Sequence, residues 1–157
     1  MPSVRPSVAV LALALVATVL AAACGTISTT PPAPTPADFQ GIATELTKRG
    51  IAIDELVSGD AGCADDPILI PTAIGVTASG LDQAEPVRIH LYIFRNRDAF
   101  ERLRASVDTC AASFVTDPQT YETIEQSPYV LAGQGPWATE FEGAIRDALE
   151  VAAGTGN

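Results

Sequence analysis

Val87-Arg-Ile-His-Leu-Tyr-Ile-Phe94 is the segment that most narrows what this chain can become. Val87, Ile89, Leu91 and Ile93 alternate with Arg88, His90, Tyr92 and Phe94, and successive side chains of a strand point to opposite faces. A helix would scatter the two sets around its circumference, so the segment is expected to be a β-strand. The wholly aliphatic set then belongs to a hydrophobic core. The set Arg88, His90, Tyr92 and Phe94 is read as the outer sheet face. Two aromatic rings beside a cation can stack on a sugar or a planar ligand, which makes this a candidate binding face. Cover by a loop or helix is the structural alternative.

The remaining elements follow from spacing and caps. Thr35-Pro-Ala-Asp38 has capping-box spacing with proline at the first helical position. Phe39, Ile42, Ala43 and Leu46 recur at helical intervals, and Gly50 follows the basic pair Lys48 and Arg49, so a helix is predicted over 36–49. A strand over 51–57, a turn over 58–62 and a second strand over 68–78 come next. Pro71 inside that second run implies an edge or a bulge, and 79–86 reads as a loop. Asn96 is placed to cap a helix over 97–114, whose stripe is Phe100, Leu103, Val107, Cys110, Ala111 and Phe114. Short strands are expected at 121–124 and 129–132. A last helix has Phe141, Ile145, Ala148, Leu149 and Ala152 inward, with Thr139 and Glu142 at capping-box spacing. Adjacent strands joined by loops predict an α+β fold, a small antiparallel sheet packed against about three helices.

Ahead of this domain lies a different kind of sequence. Arg5 precedes an apolar run over 8–23 interrupted only by Thr18. As a helix that run rises about 24 Å at ~1.5 Å per residue, short of the ~20 residues that a permanent span requires. A positive start, a short apolar core and small residues at the end describe a secretory signal peptide. Leu20-Ala-Ala-Ala-Cys24 resembles the lipobox of bacterial lipoproteins, although Ala21 stands where that family prefers leucine. The resemblance covers only residues 1–24. It implies cleavage before Cys24, acylation of Cys24 with chains such as palmitate, and residence at the outer side of the cell membrane as a small envelope lipoprotein.

Residues 24–36 carry no charge and include Pro31, Pro32, Pro34 and Pro36, a composition that favours extended, semi-rigid spacers. The organisation expected is therefore a signal peptide over 1–23, a lipid-anchored linker over 24–36 and a single domain over 37–157. Three cysteines are present. If Cys24 carries lipid, Cys63 and Cys110 remain as a pair, and an exported domain favours a disulfide between them.

The charge balance excludes some functions. The chain holds 9 basic and 19 acidic residues, and cleavage before Cys24 would remove Arg5 but no acid. Such a protein lacks the basic footprint that nucleic acid demands. No nucleophile-elbow pattern accompanies His90, the only histidine. Asp60, Asp65 and Asp66 crowd the Cys63 turn without EF-hand spacing, and one histidine leaves too few ligands for zinc. No cofactor, metal or catalytic set is expected. The reading is a non-enzymatic domain binding or sensing an unidentified protein, glycan or small molecule. An accessory subunit of a membrane complex and a small hydrolase centred on His90 are the alternatives.

Overall fold

The computed structural model describes residues 36–154 apart from residue 65; the apolar run, Cys24 and most of the linker lie outside the described residues. In chain order the elements are α1 (Pro36–Lys48), β1 (Ile51–Ser58), β2 (Ala73–Gly80), β3 (Gln83–Ile93), α2 (Arg97–Ala111), β4 (Tyr121–Gln126), β5 (Tyr129–Gln134) and α3 (Thr139–Gly154). The five strands form one antiparallel sheet in the order β1-β2-β3-β5-β4. This is the expected α+β fold. Among the described residues no helix is long and apolar enough to cross a membrane.

Both faces of the sheet are covered, which differs from the sequence reading. Ile74, Val76, Ile89, Leu91, Ile93, Ile124 and Leu131 face α1 and α3, with Ile42, Phe141, Ile145 and Leu149 completing that core. On the opposite face Ala73, Tyr92, Phe94, Val130 and Ala132 pack beneath α2 and the segment following β1, with Ala61, Leu69, Val107 and Cys110. Tyr92 and Phe94 are fully buried and His90 nearly so. The open outer face is thereby corrected to a second core. Burying two aromatic rings removes a large apolar area from water, and β3 is the middle strand, so cover is available on both of its sides.

Three boundaries also differ. The strand expected over 68–78 begins only at Ala73, because Pro71 opens a single 3₁₀ turn over Ile70–Thr72. The loop expected over 79–86 is instead a hairpin, with β3 starting at Gln83 and Leu81 at φ 55 in its tight turn. Pro86 is tolerated there because β5 pairs with β3 only from Ile89 onward, so no partner on that side needs its missing N–H. The helix expected over 97–114 ends at Ala111, where Ser113 and Phe114 donate to carbonyls three residues back, to Cys110 and Ala111.

The caps are partly as expected. Asn96 accepts the Ala99 amide at 2.9 Å, and Gly50 takes φ 84 after α1. The Thr139–Glu142 box is replaced by a long-range cap. The Asp82 carboxylate accepts the Glu140 and Phe141 amides at 3.0 and 2.9 Å, and Gln83 accepts that of Ala138. The β2–β3 turn therefore starts α3, and Glu142 pairs with Arg146 instead.

Candidate functional site

Cys63 and Cys110 are joined in a disulfide, with their Cα atoms 5.3 Å apart. The bridge ties the segment after β1 to the inner side of α2. That segment crosses the sheet at Gly75, where a side chain would run into the Asp60 carboxylate and the Arg88 guanidinium. Glycine at 75 is what lets the crossing chain come so near the strand.

The crossing gathers the main polar cluster of the domain. Asp60 accepts the Arg88 guanidinium at 2.5 Å and the Gly62 amide at 2.9 Å. Arg88 also donates to the carbonyl of Glu55 at 2.9 Å. A bulge between Asp54 and Val57, with Glu55 at φ 49, accompanies that carbonyl. Thr77 links the Glu55 carboxylate to the same group. His90 lies beneath the crossing: Nδ1 is 3.2 Å from the Asp60 carbonyl oxygen and 3.5 Å from its carboxylate. Phe114 covers the ring, with centroids 4.4 Å apart.

The electrostatics follow from this geometry. Burial works against the Asp60 charge, but the Arg88 hydrogen bond and the Gly62 amide outweigh it and hold the carboxyl below its ordinary range. Burial lowers the His90 pKa, and the Asp60 carbonyl and carboxylate offset that only in part. His90 is therefore neutral near pH 7. Nδ1 faces two oxygen acceptors, so it carries the proton.

That tautomer leaves Nε2 basic, as a general base requires. The surroundings of Nε2 decide what it can do. A Cβ at Gly62 would lie 2.9 Å from it and would collide with Phe114, so backbone and an aromatic ring occupy the space a nucleophile needs. Among the described residues no hydroxyl or thiol is hydrogen-bonded to the ring. The arrangement can orient and seal the crossing segment; it presents no nucleophile.

A second cluster secures α2 at the far edge of the sheet. Arg104 pairs with Asp108 at 2.7 Å and Glu125 at 2.5 Å, and Tyr121 donates to Asp108 at 2.8 Å. Burial opposes the Arg104 charge, yet its bonds to Glu125 and Asp108 keep it firmly protonated. Burial, then the bond to Asp108, pushes Tyr121 up to about 12.

The sequence-derived site residues are thus brought together, but as interior. Arg88 is half-buried, His90, Tyr92 and Phe94 are covered, and the Tyr92 hydroxyl donates to the Ala61 carbonyl at 2.7 Å. They do not form an open binding face. Asp66 accepts the Ile68 and Leu69 amides, Asp60 serves Arg88, and Asp65 lies outside the described residues. Among the described residues no group of three or more histidine, cysteine or carboxylate side chains is placed to hold a metal.

A shallow groove of about 380 Å³ runs along the outer side of α1, lined by Ala43, Thr44, Thr47 and Lys48. Its two hydroxyls donate to carbonyls of their own helix, so it offers no donor aimed at a ligand. No protein-family model matches the chain, and searches of curated proteins and of solved structures found none similar to it. The fold and its clusters define a disulfide-stapled α+β domain with a sheet covered on both faces.

Proposed function

We propose that the protein is a bacterial envelope lipoprotein: Cys24 is acylated, residues 25–35 are a spacer, and the domain works outside the cytoplasmic membrane in binding or sensing. One observation carries this reading. Cys63 and Cys110 consume each other in a disulfide, so the single remaining cysteine is the one that follows an apolar run and three alanines. Disulfides persist in oxidising compartments, which favours export of the domain. Several acyl chains on one cysteine would hold it durably, whereas a single chain binds only marginally.

Binding is favoured over catalysis because His90, the group best suited to acid–base work, is sealed by Gly62 and Phe114. Metabolic labelling with an alkynyl fatty acid tests the anchor. The wild-type chain should take up label and Cys24→Ala should not. Equal label on both would place the acyl group elsewhere and remove the reading.

A further inference from the structure

We propose that His90 and Phe114 form a pH-sensitive lid: when the imidazole takes up a second proton, the Phe114 ring swings away and leaves Nε2 open to water. This rests on the sensing role proposed above and names acidity outside the cytoplasmic membrane as what is sensed.

The two ring nitrogens of His90 differ in what surrounds them. Nδ1 is committed to the crossing segment through the Asp60 carbonyl at 3.2 Å. Nε2 faces Gly62 and Phe114: a Cβ built on Gly62 would meet both Nε2 and the Phe114 ring, and the two ring centroids are 4.4 Å apart with planes inclined at 42°. Among the described residues Nε2 has no hydrogen-bond partner. A proton there adds a charge and an N–H donor where only a methylene and an aromatic ring are at hand. Leaving such a donor buried and unpaired is costly. Water can satisfy it, but reaches Nε2 only if part of the cover moves.

Most of that cover is fastened. Asp60 is held by Arg88 and by the Gly62 amide, the Ala61 carbonyl accepts the Tyr92 hydroxyl, and Cys63 is bonded to Cys110. Phe114 is different. Its amide donates to the Ala111 carbonyl, but its side chain is half-buried, carries no polar atom and lies in the turn that follows α2. Rotation of that side chain uncovers Nε2 without breaking a hydrogen bond, so the ring is the part that yields.

The groups facing the imidazole set the direction of the response. From the crossing segment, Asp60 favours the charged ring; Arg88, two residues away on β3, opposes it. Tyr92, two residues the other way, stays protonated because burial pushes its hydroxyl far up. The adjoining strands bring Gly75 and Ala132 opposite His90, and α2 brings the disulfide-bonded Cys110; none of these titrates. Burial outweighs Asp60 and holds the closed-state pKa below 6.5, whereas an imidazole open to water titrates near 6.5. The closed lid is therefore favoured at neutral pH. Below about pH 6.5 each unit of acidification favours the open lid by up to about tenfold, until the closed form titrates as well. Asp60 keeps its charge through this range, since its carboxyl lies below the ordinary value.

The test is a pH titration of the whole purified chain by nuclear magnetic resonance, with carbon-13 and nitrogen-15 labels. His90 is the only histidine, so its ring signals are unambiguous, and the buried Trp137 reports the global fold. In the wild type His90 should titrate with a midpoint below 6.5. Cross-peaks between the His90 and Phe114 rings should fade with that same midpoint while the Trp137 signals stay in place. Phe114→Ala removes the lid and should raise the His90 midpoint. His90→Gln removes the titrating group, and the Phe114 ring signals should then ignore pH over the same range. Ring cross-peaks that survive the titration overturn the lid, as does an unchanged midpoint in Phe114→Ala or a Phe114 response that persists in His90→Gln. A His90 that takes up its proton only as the Trp137 signals collapse also overturns it, because the proton then enters by global unfolding. None of these readouts depends on acylation, so failure of the lid leaves the anchor standing, and failure of the fatty-acid label leaves the lid.

Discussion

Leu91 and Tyr92 are neighbours on β3 whose side chains enter different cores, so truncating each in turn tests whether the sheet is buried on both faces. Leu91 is 1% exposed among the residues facing α1 and α3, and Tyr92 is 0% exposed beneath α2 and the crossing segment. Leu91→Ala removes buried methyl groups and leaves a cavity, at a cost of roughly 2–5 kcal/mol. Tyr92→Ala removes a whole ring and should cost roughly 3–5 kcal/mol. It also strands the Ala61 carbonyl, which accepts the tyrosine hydroxyl at 2.7 Å, adding about 1 kcal/mol. With urea slopes of about 1–3 kcal/mol per molar, the midpoint of both variants should fall by about 0.7 M or more. Urea melts followed by circular dichroism provide the readout. A Tyr92→Ala variant within about 0.5 kcal/mol of wild type, the range of an ordinary surface change, would refute the second core. It would restore the open face that the alternation alone suggests.

Three further outcomes are expected. Burial lowers the His90 pKa in the folded state, so this residue's contribution is fully present above about pH 6.5, the unfolded value, and declines as pH falls below it, when the unfolded chain takes up the proton; urea melts between pH 5 and 8 should show the slope, and His90→Gln should flatten it. Replacing Cys63 and Cys110 together by alanine opens a loop with sequence separation 47 and should cost about 4 kcal/mol on the chain-entropy model; a denaturant midpoint unchanged from wild type would remove the staple from the account. Asp82→Ala withdraws the acceptor for the Glu140 and Phe141 amides, and both should exchange hydrogen faster while the amides of Ala148 and Leu149 keep their protection; unaltered exchange at Glu140 and Phe141 would show that the long-range cap contributes nothing.

What could be read in advance followed from local rules, and what could not depends on contacts between distant residues. The 3.6-residue stripes of α2 and α3, the Asn96 cap and the Gly50 stop are local, and they appear close to where the spacing places them. The alternation of β3 sorted its residues correctly into two sets. It could not report that the polar-looking set is covered, because the cover comes from α2 and from the segment around Ala61 and Cys63. The one local hint was the pair of aromatics at Tyr92 and Phe94, an expensive thing to leave in water. Pro86 hid the first half of β3, since proline is a breaker unless the neighbouring strand stops short, and where β5 stops is a tertiary fact. The Thr139 box failed for the same reason: Asp82, far away in the chain, occupies its place. The Asp60–Arg88–His90 cluster required the crossing at Gly75, for which a single glycine in a strand was the only trace.

Intact mass spectrometry of the protein purified from membranes, denatured with iodoacetamide and without reductant, tests the central claim most directly. The account predicts a chain beginning at Cys24, heavier than its sequence by acyl groups, two hydrogens lighter for the Cys63–Cys110 bridge, and carrying no alkylation. A mass corresponding to an unacylated chain, or one bearing carbamidomethyl groups at Cys63 and Cys110, would contradict it.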